Sequence, residues 1–169
     1  MQQNKQFTIR AAQARDLPSL VQIYNQAILA GEKTADLDLF SLESRRSWLN
    51  EHQAQSYPIL VAGLKDKVVG YASLSAYRPG RRAFRQTVEV SYYIHNEFQQ
   101  RGIGSQLLAS ILAKATELKY ETVVALLIES NLVSIKLLEK NGFQHWGYLP
   151  GIADFSGKKL AHLYYGKKL

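Results

Sequence analysis

Thr87-Val-Glu-Val-Ser-Tyr-Tyr-Ile-His95, followed after three residues by Gln99-Gln-Arg-Gly-Ile-Gly-Ser105 and then an apolar run, decides the fold. β-branched and aromatic residues fill the first segment and glycines punctuate the second, so the order is strand, turn, helix. Such a junction makes an anion cradle, because free backbone N–H groups point outward and the helix dipole adds partial positive charge. Gly102 and Gly104 are both expected to take positive φ and let a phosphate approach the backbone, with Gln99, Gln100, Arg101 and Ser105 as further donors. A pyrophosphate suits this turn. An ordinary strand-to-helix connection also favours glycine, so the turn by itself leaves a purely structural reading open.

The glycine spacing excludes the better-known phosphate loops. A Walker A loop ends in Gly-Lys-Ser/Thr, and a dinucleotide fingerprint reads Gly-x-Gly-x-x-Gly; neither stands here.

Composition narrows the class. With 169 residues, 46% of them hydrophobic, the chain suffices for one domain spanning 1–169 with its own core. No cysteine is present, which excludes disulfides, thiolate metal sites and cysteine nucleophiles. The first residues, Met1-Gln-Gln-Asn-Lys-Gln6, carry no apolar signal core, and no later run is long enough to span a membrane, so a cytoplasmic location without membrane association is expected. A formal net charge of +7 favours anionic partners. The basic residues are scattered and no nucleic-acid-binding motif accompanies them, so nucleic acid is not expected as a partner, and most lysines read as a solvated surface. The four histidines lack paired ligand spacing, and no Gly-x-Ser-x-Gly occurs, which speaks against a metal centre and a serine-hydrolase elbow.

Outward from the opening stretch, periodicity predicts a strand at 7–10 and a helix from 17 to about 30, capped by Asp16. Leu20, Ile23, Tyr24, Ala27 and Ile28 share one face of that helix. A second helix is predicted from 41 to about 55, with Leu42, Arg45, Trp48 and Leu49 inward. Strands at 58–64 and 67–76 form a hairpin around Lys65-Asp66, followed by a basic loop at 77–85. Beyond the glycine turn come a helix at 103–118, a strand at 122–128, a helix at 132–141 ended by Gly142, and strands at 143–148 and 160–166 either side of a polar loop. The fold class is therefore α/β, in the order β-α-α-β-β-β-α-β-α-β-β.

Gln-x-x-Gly-x-Gly after an extended strand resembles the acetyl-CoA signature of the GNAT-type N-acetyltransferases, and the element order matches theirs over nearly the whole chain. Ile23-Tyr-Asn-Gln-Ala-Ile28, Thr87-Val-Glu89 and Asn131-Leu-Val-Ser-Ile-Lys-Leu-Leu-Glu-Lys-Asn-Gly-Phe143 resemble the phosphinothricin and methionine sulfoximine acetyltransferase branch. The resemblance implies the acyl-CoA N-acyltransferase fold, a mixed central sheet flanked by helices, and acetyl-CoA as co-substrate without a metal. It also implies homodimers whose active-site mouth is partly walled by the partner. Tyr92, Tyr93 and Ile94 match backbone that meets the pantetheine arm. Gln100, Arg101, Gly102, Ile103, Gly104 and Ser105 match the pyrophosphate turn; Asn131, Leu132, Val133 and Lys140 match a further coenzyme contact. Arg82, Ala83 and Phe84 match positions that touch the acceptor. Asn131 also reads as a structural N-cap, and the two roles are compatible.

Acetyl transfer to an amine needs a base, since an α-amine is mostly protonated at neutral pH. Glu89, early on the cleft strand between Val88 and Val90, is the candidate, its pKa expected to rise by burial; solvent exposure or an arginine partner is the alternative. Backbone N–H groups of Tyr93 or Ile94 suit the oxyanion. Where GNAT enzymes often carry a tyrosine or histidine to protonate the leaving thiolate, this chain has Leu138, which leaves that proton to water. The chain also departs from the branch at Gly151-Ile-Ala-Asp-Phe-Ser-Gly-Lys-Lys159, which bears on substrate range. Three functions stand side by side. They are acetylation of an amino acid or analogue; acetylation of a protein N-terminus, lysine or polyamine; and a binding module without catalysis. Arg78, Arg81, Arg82 and Arg85 favour an anionic small-molecule amine over a cationic one.

Overall fold

The computed structural model describes residues 7–52 and 55–169. Seven strands form one sheet: β1 (Thr8–Ala11), β2 (Ile59–Leu64), β3 (Lys67–Ala76), β4 (Thr87–Ile94), β5 (Thr122–Ile128), β6 (Gln144–Phe155) and β7 (Lys158–Lys168). Their spatial order is β1-β2-β3-β4-β5-β7-β6. Only β4 and β5 run parallel; every other neighbouring pair is antiparallel. Among the described residues four α-helices complete the fold: α1 (Leu17–Leu29), α2 (Leu42–Glu51), α3 (Ile103–Glu117) and α4 (Leu132–Lys140). The element order is the one read from the sequence.

Strand alternation divides the buried side chains between two helix layers. Leu74, Val88, Val90 and Val123 pack on one face against Leu107, Leu108 and Ile111 of α3 and Leu138 of α4. On the other face Val61 and Tyr71 meet Leu20 and Ile23 of α1, with Trp48 and Leu49 of α2 at the margin. Among the described residues no helix is long and apolar enough to cross a membrane, and no group of three or more His, Asp or Glu could hold a metal ion.

Four local expectations are corrected. The polar loop expected between the last two strands is itself strand, for β6 and β7 continue to a two-residue turn at Ser156-Gly157. Both turn residues have positive φ, 54° and 95°, a twist that matches paired antiparallel strands. Asp16 stands at the N-cap position of α1, but its side chain makes no capping hydrogen bond. Its carboxylate accepts from both guanidinium nitrogens of Arg10, at 2.7 and 2.8 Å, and from the Gln13 N–H at 2.8 Å. Leu42 lies exposed at the start of α2, whose cap is Ser41, accepting from the Ser44 N–H. That helix ends at Glu51; the expected continuation toward Gln55 passes through positions 53–54, outside the described residues, as do Met1 to Gln6.

Candidate active site

Strands β4 and β5 pair at only three positions, Thr87 with Thr122, Val88 with Val123 and Glu89 with Val124. Beyond that rung the sheet opens, and a cavity of about 400 Å³ lies between Val90–Ile94 on one side and Ala125, Leu126 and Leu127 on the other. The cavity runs on to the glycine turn, the start of α4, and Ala27, Ala30 and Lys33 at the end of α1. An unpaired strand edge facing a cavity leaves backbone donors and acceptors free for a guest in extended conformation.

The turn before α3 owes its shape to two positive-φ residues, Gln100 at 59° and Gly102 at 80°. Gly102 is the left-handed cap of the helix, and the first helical bond runs from the Gln106 N–H to the Gly102 carbonyl at 3.2 Å. The amides of Ile103, Gly104 and Ser105 precede that bond and have no partner within the helix, the arrangement that suits an anion. Gly104 departs from expectation, because it is helical. A Cβ there would stand 3.2 Å from Leu137 Cδ2 and 3.9 Å from Ile94 Cγ1, so its smallness serves the close approach of α3 to α4 and β4. The side chain of Arg101 turns back to donate to the Glu97 carbonyl at 2.8 Å and lies over the Phe98 ring.

At the far wall Asn131 caps α4, its Oδ1 accepting from the Ser134 N–H at 3.4 Å, while the residue also faces the cavity. Cap and lining roles coexist there. Tyr92 reaches across and donates its hydroxyl to the Ser134 carbonyl at 3.4 Å. Burial pushes that phenol up to about 12, so it holds its proton firmly. Burial likewise raises Tyr93, which packs edge-on against Tyr24 of α1. Leu138 is buried and lines the cavity without a proton to give.

Glu89 sits at the apex where the strands part, half-buried, and desolvation raises its carboxyl above the usual carboxylate range. No arginine pairs with it among the described residues, so the ion-paired alternative is not what the structure adopts. Its register partner on β3 is Ser75, and Ser91 and Tyr93 follow on the same face of β4.

The cavity brings together Tyr92, Tyr93, Ile94, Gln100, Gly102, Ile103, Gly104, Ser105, Asn131 and Val133. Glu89, Arg101, Leu132 and Lys140 stand outside its lining. Lys140 closes α4 at the end away from Asn131, about 13.5 Å along the axis at roughly 1.5 Å per residue. Arg82, Ala83 and Phe84 form an exposed 3-10 turn on the loop before β4, also outside the lining, with Phe84 edge-on to Tyr77 at 5.6 Å. Sequence reasoning missed the α1 wall, Ser91 on β4, the β5 wall, and Ser134 and Leu137 of α4. The α1 and α4 positions read as ordinary core or helix surface, and only the opening of the sheet turns them toward a common space.

The model of the family described as acetyltransferase (GNAT) domain matches residues 6–144. A candidate phosphinothricin acetyltransferase of Bacillus subtilis strain 168, YwnH, is 37% identical over 96% of this chain and 99% of its own. The L-methionine sulfoximine/L-methionine sulfone acetyltransferase of Pseudomonas aeruginosa is 35% identical over 90% of this chain and 89% of its own. Among solved structures, a GNAT-superfamily phosphinothricin acetyltransferase from Sinorhizobium meliloti, crystallised with acetyl-CoA, superposes with a TM-score of 0.91. It is 30% identical and covers 96% of this chain and 88% of its own.

Proposed function

The chain belongs to the GNAT acetyltransferase family and is an acetyl-CoA-dependent N-acetyltransferase; from that premise we propose that it transfers the acetyl group to the α-amine of an amino acid or amino-acid analogue of the methionine sulfoximine or phosphinothricin type. The observation that carries this reading is the opening of the sheet immediately after the Glu89–Val124 rung, with a turn of free amides at its mouth. Relatives named for those acceptors support the amino-acid class over a protein N-terminus, a lysine or a polyamine. Two copies of the chain are proposed to pair as a homodimer.

In this reading the backbone of Tyr92, Tyr93 and Ile94 holds the pantetheine arm as an added strand, and the amides from Gln100 to Ser105 hold the pyrophosphate. Arg101, Leu132 and Val133 flank the nucleotide end, with Asn131 at the start of α4 and Lys140 at that helix's far end. Glu89 takes a proton from the acceptor ammonium, directly or through water. The neutral amine then attacks the thioester carbonyl, forming the C–N bond. N–H groups of Tyr93 or Ile94 stabilise the oxyanion, the attacking nitrogen gives up its second proton to water, the C–S bond breaks, and the departing thiolate takes its proton from water because Leu138 has none. Arg82 pairs with the acceptor's carboxylate or second polar group, and Ala83 and Phe84 flank its side chain.

The test is a panel of acceptors mixed with the protein and acetyl-CoA, read by thiol release. Methionine sulfoximine, phosphinothricin and the common L-amino acids are expected to turn over. Spermidine and a peptide with a free N-terminus are expected to give little, and the reverse ranking would overturn the acceptor assignment.

A further inference from the structure

Across the β3–β4 ladder from Glu89 stands Ser75, and its Oγ lies 3.2 Å from Nε2 of His52, just past the end of α2. Direct register partners in an antiparallel pair share a face, with Cβ atoms about 4.5–5.5 Å apart. The same face carries Tyr71 and Tyr93, another register pair, packed against Tyr24 and Trp48 of the α1–α2 layer. Glu89, Ser75 and His52 therefore occupy one side of the sheet.

The hydrogen bonds of His52 fix the direction of the chain. Its Nδ1 lies 2.7 Å from the Trp48 carbonyl, which can only accept, so Nδ1 carries the proton. Burial holds the imidazole below its ordinary range, opposed by Glu51 and assisted by Arg45, so the ring is neutral at pH 7 and Nε2 is an acceptor. Ser75 must then donate its hydroxyl proton to His52. The serine oxygen is left with lone pairs only for its other neighbours.

We propose that His52 and Ser75 act as a positioning pair for Glu89, keeping the hydroxyl proton of its register partner committed to the imidazole so that Ser75 does not donate to the carboxylate. A carboxylate left without that donor keeps the full cost of its desolvation, so the pair favours a carboxyl that binds a proton well. Among the described residues Glu89 has no hydrogen bond from Ser75 and no ion pair; its register partners are Ser75 on β3 and Val124 on β5. The inference deepens the reading of Glu89 as the base and rests on it for its functional meaning.

The experiment follows the Glu89 carboxyl carbon by 13C NMR across a pH series in the intact protein, beside the kcat/KM profile. His52→Phe keeps a ring against Trp48 but cannot accept, which frees the Ser75 hydroxyl to donate to the carboxylate; His52→Leu serves the same purpose if the phenyl ring impairs folding. The expected result is a fall of about one pH unit in the Glu89 titration, the scale of one donated hydrogen bond. His52→Phe with Ser75→Ala removes the freed donor, and the titration is expected to return toward the wild-type position. A titration unmoved by His52→Phe and His52→Leu, or a fall that persists in the double variant, overturns the positioning role. An acid limb of kcat/KM that survives in Glu89→Gln overturns the assignment of the base instead, and leaves the carboxyl titration to decide the positioning pair.

Discussion

Glu89 and Val124 form the last rung between β4 and β5, and one residue further along each strand the sheet has parted to make a cavity. Glu89 is thus held on the last rung before the opening, on strand backbone paired with β3 on one side and with β5 on the other. If Glu89 is the base proposed above, it needs no loop to position it. Its cost is desolvation, which raises its pKa and makes it a better proton acceptor.

Glu89→Gln is expected to lower kcat by roughly 10²-fold or more, with little change in the KM for acetyl-CoA. The wild-type acid limb is expected above the ordinary glutamate value of about 4.3, and the variant profile flattens. Unchanged turnover with an unchanged limb would move the base elsewhere.

The same substitution is expected to stabilise the fold near neutrality. A carboxyl whose folded pKa is raised binds protons more tightly folded than unfolded, so stability is lost as pH rises through the unfolded value and then the folded one. Gln carries no charge to desolvate. Calorimetry should find a higher Tm for Glu89→Gln at pH 7 and a negligible difference near pH 4; equal Tm values at pH 7 would show that burial costs this group nothing.

Gly104→Val is expected to weaken acetyl-CoA binding and to cost about 1–3 kcal/mol of stability through overpacking against Leu137 and Ile94. Gly102→Ala acts differently, since a Cβ there meets nothing but must adopt φ 80°. It should lose roughly 1 kcal/mol and distort the turn. Titration calorimetry with the coenzyme checks both, and unchanged affinity in the two variants would remove the phosphate-cradle assignment.

Arg82→Ala is expected to raise the KM for methionine sulfoximine or phosphinothricin by several-fold to a hundredfold, the scale of a charge-assisted hydrogen bond of about 1.5–3 kcal/mol. The KM for acetyl-CoA should hold constant. Steady-state kinetics with each substrate varied in turn decides it, and an unaltered acceptor KM would remove Arg82 from the acceptor site.

The Arg10–Asp16 pair carries an acid-dependent part of the stability. Arg10 holds the Asp16 carboxyl below its ordinary range, so this stabilisation is full above the unfolded value of about 3.9 and is lost as pH falls through the folded one. Asp16→Asn is expected to lower stability at pH 7 and to flatten its fall in that acid window. Urea midpoints at pH 7 and at pH 2 to 4 measure it; a parallel acid loss in the variant would assign the effect to other groups.

The order of elements was legible because each helix and strand carries its own period, and the bounds of β3 and β5 could be read to the residue. The glycine turn was legible as well, since a left-handed cap at Gly102 is a local requirement of backbone sterics. Residue type also made Glu89 the candidate base and excluded thiolate chemistry. Local sequence could not show that Gly104 is small to admit Leu137, because that constraint comes from another helix. It misread residues 149–159 as a loop, since Pro150 and Gly151 are turn residues by composition yet occupy an irregular stretch of a strand held by pairing with β7. The opening between β4 and β5, the α1 wall of the cavity and the approach of His52 to Ser75 were decided only by tertiary structure. Each joins residues far apart in the chain, and such contacts follow from sheet register and helix packing, which no single segment encodes.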